Sequence, residues 1–207
     1  MKKNNLYIIF VLILTAGSVL MPACAKREVK NINSTGKIII CFGDSITFGY
    51  GVERGEDYPS LLANLLGEEV INAGVDGDTT ADALTRIESA VLEKNPRLVI
   101  VEFGGNDFLK KIPMEETVSN MKKIITLIQD RGAMAAIADT SAGIFLKSYR
   151  AEFSKIAKKS GVIFIPSILE GILTNPSLKS DFLHPNDKGY KMIARKVYLA
   201  VKPYLKK

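Results

Sequence analysis

From Lys37 onward, short β-branched runs alternate with longer amphipathic stretches, and few folds accept that rhythm. The strand-like runs are Lys37 to Phe42, Glu69 to Ala73, Arg97 to Phe103, Ala133 to Ala138 and Val162 to Pro166. Apolar runs of this kind, bounded by turn residues, suit strands buried on both faces. Between them, Val118, Met121, Ile124, Ile125 and Ile128 place one apolar stripe on a helix that ends near Arg131-Gly132. Leu84, Ile87 and Val91, then Ile193, Val197 and Val201, repeat the pattern. These stripes are core and imply no cofactor. The alternation predicts an α/β architecture: parallel strands joined by helical crossovers, with helices on both faces. With 207 residues, 47% of them hydrophobic, one domain over residues 37–207 suffices.

The amino terminus carries Lys2 and Lys3, then an uncharged apolar run from Leu6 to Met21, then Ala23 and Ala25. That is the plan of an export signal, and the run is short of the ~20 residues that span a bilayer. Two processing outcomes compete. Cleavage after Ala25 gives a soluble secreted protein. Met21-Pro22-Ala23-Cys24 resembles a bacterial lipobox, which makes Cys24 the lipid-modified first residue. The expectation is a lipoprotein: residues 1–23 as signal, 24–36 as a polar tether, and a bacterial membrane as partner through the lipid anchor, on its periplasmic or extracellular face. Cys41 lies in the first strand and reads as a buried thiol rather than a disulfide partner of Cys24. Loss of Lys2 and Lys3 lowers the formal charge from +6 to +4, and the lysines are scattered without an aromatic-interleaved stripe. Nucleic-acid binding has little support.

In an open parallel sheet, ligands sit beyond the carboxyl ends of the strands. The loops there are Gly43-Asp44-Ser45-Ile46-Thr47, Asn72-Ala73-Gly74-Val75-Asp76-Gly77-Asp78-Thr79-Thr80 and Gly104-Gly105-Asn106-Asp107, with Asp181-Phe182-Leu183-His184-Pro185 near the carboxyl terminus. Each has a bland reading: Ser45 as a helix cap, Thr79 with Asp82 as a capping box, Asn106-Asp107 as a turn, His184 as a surface histidine. The chemical reading needs a base for Ser45, and the chain has one histidine. A serine nucleophile activated by imidazole therefore requires His184. Asp181, three residues earlier, is placed to orient the ring. Backbone N–H groups of Ser45 and Gly77 and the side-chain amide of Asn106 are candidate donors to the oxyanion that ester attack develops. Glycine suits position 77 because a side chain there would crowd the substrate.

These blocks resemble those of the SGNH (GDSL-type) hydrolases, close in pattern to the thioesterase, lysophospholipase and arylesterase branch. Gly43-Asp44-Ser45-Ile46-Thr47 resembles the first block, Gly77-Asp78-Thr79-Thr80 the second, Gly105-Asn106-Asp107 the third and Asp181-x-x-His184 the fifth. The resemblance spans roughly residues 36–205. It implies Ser45 as nucleophile, Gly77 and Asn106 as oxyanion donors, His184 as base and Asp181 as its orienting partner. It also implies a flavodoxin-like three-layer α/β/α sandwich, a five-stranded parallel sheet of order 2-1-3-4-5, and no metal or organic cofactor.

The expected reaction is hydrolysis of carboxylic esters or thioesters through an acyl-enzyme. Phe108-Leu109 and Ile144-Phe145-Leu146 either line an apolar acyl slot beside Ser45 or pack their loops onto the sheet. Lysophospholipids or aryl esters suit the first case, and deacetylation of a carbohydrate is the rival within the same mechanism. A flavodoxin-like nucleotide or flavin binder remains the non-enzymatic alternative, because Ser45, Thr47 and Gly49 suit a phosphate loop. It leaves Asp181 and His184 without a role. One histidine among scattered acids offers no metal-ligand spacing.

Overall fold

The computed structural model describes residues 28–205 except Phe145. The expected signal (1–23) and Cys24 lie outside the described residues. Five strands form one parallel sheet: β1 (Ile38–Gly43), β2 (Val70–Gly74), β3 (Pro96–Glu102), β4 (Met134–Ala138) and β5 (Ile163–Ile165). Their order is β2-β1-β3-β4-β5, as the resemblance implies. The helices are α1 (Ser45–Phe48), α2 (Tyr58–Leu66), α3 (Thr80–Ala90), α4 (Gly105–Leu109), α5 (Met114–Asp130), α6 (Lys147–Ser160) and α7 (Asp187–Val201). Among the described residues, no helix is long and apolar enough to cross a membrane.

The strand sequences explain why both faces are covered. Ile39 and Cys41 of β1, with Leu98 and Ile100 of β3, pack with Leu62 of α2 and Ile193 and Val197 of α7. The alternate residues Ile40, Phe42, Val99 and Val101 face the other way, onto α3, α5 and α6. Period-two alternation thus feeds two apolar cores from one strand. Cys41 is fully buried, and burial pushes its thiol well above the ordinary range.

The strand boundaries fall within a residue or so of the expected ones. Pro96 opens β3, where its missing N–H is cheapest. The capping box is present: Thr79 Oγ1 accepts from Asp82 N–H, and the Asp82 carboxylate accepts from the Thr79 N–H and hydroxyl, two bonds that hold it below its usual range. The expected tether is packed where it is described. Val29 is buried, Lys30 N–H donates to Gly161 O at 2.9 Å, and Asn31 Nδ2 donates to Gln129 O and Ala133 O.

Candidate active site

The first loop turns sharply because Asp44, not Ser45, caps α1: its Oδ1 accepts from Ile46 N–H at 3.1 Å. Ser45 is consequently the first helical residue, and its own N–H donates to no group among the described residues. Gly43 is required sterically. A Cβ there would sit 2.1 Å from Thr47 Oγ1 and 2.6 Å from Glu102 Oε2. The helix ends at Gly49 in the left-handed region, and Tyr50 N–H folds back onto Ser45 O.

His184 and Asp181 arrive on the loop between β5 and α7. A bridge between Lys179 and Pro185 closes this loop, and Ser180 N–H donates to His184 O. Inside it, Asp181 Oδ1 accepts from the N–H groups of Leu183 and His184, and Asp181 Oδ2 meets His184 Nδ1 at 2.7 Å. His184 Nε2 lies 3.1 Å from Ser45 Oγ. Desolvation alone would raise the Asp181 carboxyl, but the ring and the two backbone donors outweigh it and bring it down to about 2. Asp181 is therefore an acceptor at neutral pH, which keeps the ring proton on Nδ1 and leaves Nε2 free to take the serine proton.

Asn106 is held by the loops around it. Its Nδ2 donates to Asp78 O at 3.0 Å. The neighbouring Asp107 is fully buried and accepts from Thr80 of α3 and Thr117 of α5. Arg86 braces the same corner: Nε meets Asp78 Oδ2 at 2.6 Å, the two terminal nitrogens donate to Ala73 O and Gly43 O, and the guanidinium lies over Phe42. Gly77 needs a different explanation from the expected one. A Cβ there would meet nothing within 4 Å, whereas its φ of +80° falls in the region that favours glycine. Its N–H donates to no group among the described residues, and its carbonyl accepts from Lys110 Nζ.

These loops enclose a hollow of about 530 Å³ lined by Ser45, His184, Asn106 and Asp76, with mostly apolar walls. Phe108, Leu109 and Leu146 line it. Ile144 does not: it is 86% exposed and belongs to a separate shallow hollow with Phe108 and Leu146. Phe145 lies outside the described residues. Sequence reasoning missed Ile46, Leu169, Leu173, Phe182 and Leu183 on the walls. Phe182 and Leu183 carried a signal, since they lie between Asp181 and His184 and must share the rim. Leu169 and Leu173 sit in an irregular loop, although Ile168-Leu169 and Ile172-Leu173 repeat at helical spacing and could have signalled a shared apolar face. Tyr50 was also missed; its ring centroid is 4.3 Å from that of His184.

A three-layer parallel α/β sandwich with serine, histidine and aspartate in one hydrogen-bonded relay at its carboxyl edge has the constellation of an acyl-transfer enzyme. The chain belongs to the GDSL-like lipase/acylhydrolase family, whose model matches residues 41–192. It is a GDSL-type ester hydrolase. An arylesterase of Vibrio mimicus is 33% identical over 167 residues, which cover 75% of this chain and 84% of that one. Thioesterase 1/protease 1/lysophospholipase L1 of Escherichia coli strain K12 is 26% identical over 164 residues, covering 75% and 79%. Among solved structures, AlinE4, a SGNH-hydrolase family esterase, superposes with a TM-score of 0.63 at 31% identity, covering 83% of this chain and 98% of that one.

Proposed function

We propose that the chain hydrolyses carboxylic esters bearing an apolar acyl group, through an acyl-enzyme on Ser45. The observation that carries this reading is the unbroken relay from Ser45 Oγ to His184 Nε2, and from His184 Nδ1 to Asp181 Oδ2, at 3.1 and 2.7 Å. Ser45 Oγ attacks the carbonyl carbon as its proton passes to Nε2. The carbonyl π pair becomes an oxyanion, received by the N–H groups of Ser45 and Gly77 and the free hydrogen of the Asn106 amide. Collapse of the tetrahedral species expels the alcohol or thiol, which takes the proton from His184. Water then attacks the Ser45 ester by the same steps and releases the acid.

The apolar walls favour an acyl chain longer than acetyl. Lys179 is the one lysine or arginine on the lining, and Asp44, Asp76 and Glu102 share it, so the hollow gives a nucleotide phosphate little support. A fluorophosphonate probe is expected to label the wild type and not Ser45→Ala. A chain-length series of p-nitrophenyl esters is expected to peak beyond acetate. Turnover persisting in Ser45→Ala would overturn the nucleophile assignment, and a preference for acetate would turn the substrate reading toward a carbohydrate O-deacetylase. Export with acylation at Cys24 completes the reading: metabolic fatty-acid labelling should be present in the wild type and absent in Cys24→Ala.

A further inference from the structure

Glu102, the last residue of β3, is fully buried and has no place in the relay just described. It stands at the floor of the hollow beneath the first loop. Its Oε2 accepts from Thr47 Oγ1 at 2.8 Å. Because that bond uses the only hydroxyl hydrogen of Thr47, the contact of 3.0 Å between Thr47 and Tyr58 must run from the tyrosine O–H to the threonine oxygen. Oε1 is buried and, among the described residues, accepts no well-formed hydrogen bond, although the Asp44 N–H approaches the carboxyl. Facing it is the carboxyl of Asp44, 3% exposed, whose Oδ1 accepts from Ile46 N–H.

Two carboxylates cannot share this site as anions. Each would be desolvated, they would repel, and Oε1 would keep a lone pair with no partner. A proton on Oε1 resolves all three problems, because the O–H then donates to the Asp44 carboxylate. We propose that Glu102 is a positioning residue held as the neutral acid, whose O–H bond to Asp44 fixes the turn that presents Ser45. Burial drives the Glu102 carboxyl well above its usual range, and the charge of Asp44 pushes it the same way.

The consequence for the reaction lies in charge. Asp44 caps the helix whose first N–H is offered to the oxyanion. A second negative charge beside it would oppose the charge that develops there. With Glu102 neutral, the pair carries one charge rather than two. That remaining charge on Asp44 acts on His184 and favours the imidazolium formed during attack. Gly43 makes the arrangement possible, since any side chain there would strike both Thr47 and Glu102.

This inference rests on Ser45 as nucleophile, and its test separates the two. Glu102→Gln keeps the neutral shape: its Nε2–H replaces the acid O–H toward Asp44 and its Oε1 accepts from Thr47. It should retain kcat within about threefold, because each hydrogen bond is replaced by one of the same kind. Glu102→Leu leaves Asp44 and Thr47 without partners and should lower kcat roughly tenfold to a hundredfold with little change in KM. Wild type minus Glu102→Gln infrared difference spectra at neutral pH should show the carbonyl stretch of a protonated, deuterium-sensitive carboxylic acid. A Glu102→Gln variant that folds but loses activity as Glu102→Leu does would overturn the proposal. So would absence of the acid band, which remains decisive if Glu102→Leu does not fold. Ser45→Ala should abolish turnover and leave the band in place, so failure of the nucleophile assignment cannot be mistaken for failure of this one.

Discussion

The imidazole of His184 is held from three sides: Asp181 at Nδ1, Ser45 at Nε2, and the Tyr50 ring across its face. Of these, only Asp181 dictates which nitrogen carries the proton. Asp181→Asn preserves shape but removes that dictation, and should lower kcat by roughly 10⁴-fold with KM near its starting value. Steady-state kinetics on a soluble ester check this; a loss under tenfold would mean that Tyr50 and the loop alone orient the ring. The same carboxyl sets a pH dependence of stability. Held at about 2 when folded and near ~3.9 when unfolded, it stabilises the folded chain above pH ~4 and loses that contribution as pH falls toward 2. The melting temperatures of wild type and Asp181→Asn should therefore converge across that interval. Ser45, His184 and Asp181 were legible in the sequence because a single histidine leaves one choice of base. Tyr50 was not, since its approach depends on the left-handed turn at Gly49. Glu102 was not read from the sequence: an acid ending a strand that also holds Arg97 does not stand out, and only the fold shows that Asp44 faces it.

At the scale of elements, one side chain ties the loop that bears Asp181 and His184 to the helix that follows it. Asn186 caps α7 by accepting from Lys188 and Gly189 N–H, and its Nδ2 donates back to Ser177 O and Lys179 O. One residue thus starts the helix and closes the loop that carries Asp181 and His184. Asn186→Ala should cost about 1 to 2 kcal/mol in urea unfolding. It should also lower kcat well beyond what the lost stability explains, because the relay tolerates little displacement. Equal activity at reduced stability would show that the Lys179–Pro185 bridge holds the loop without it. The strands and long helices were readable since the strands are short continuous apolar runs, whereas α3, α5 and α7 carry apolar stripes at the 3.6 period. The four-residue helix α1 and the loop bearing Leu169 and Leu173 were not, being set by Asp44 capping and by tertiary contacts respectively. Lys196 is one such contact: it donates to Ser167 O, Ile168 O and Glu170 O from the far side of α7, a link of nearly thirty residues that no local pattern announces.

Across the whole molecule, the hollow and the amino-terminal segment occupy opposite ends of the sheet. Ser45, Asn106 and His184 stand at the carboxyl ends of the strands, whereas Lys30 and Asn31 bond to Gly161, Gln129 and Ala133, just before β5 and β4 begin. With Cys24 acylated, only three residues separate the anchor from Glu28, and fully extended chain of that length reaches about 14 Å. The six residues of β1 alone span about 20 Å. The hollow of an anchored molecule would then face away from its own membrane, toward esters in solution or on an opposing surface. This geometry predicts a specific pattern for the lipidated protein on vesicles. A soluble p-nitrophenyl ester should be hydrolysed equally with the natural segment or with about 20 flexible Gly/Ser residues inserted after Arg27, because neither alters the site. An acyl ester embedded in the same vesicle should be hydrolysed faster by the lengthened form, whose added reach lets the domain turn over. Equal rates on the embedded ester for both forms would show that the short segment does not restrict the hollow.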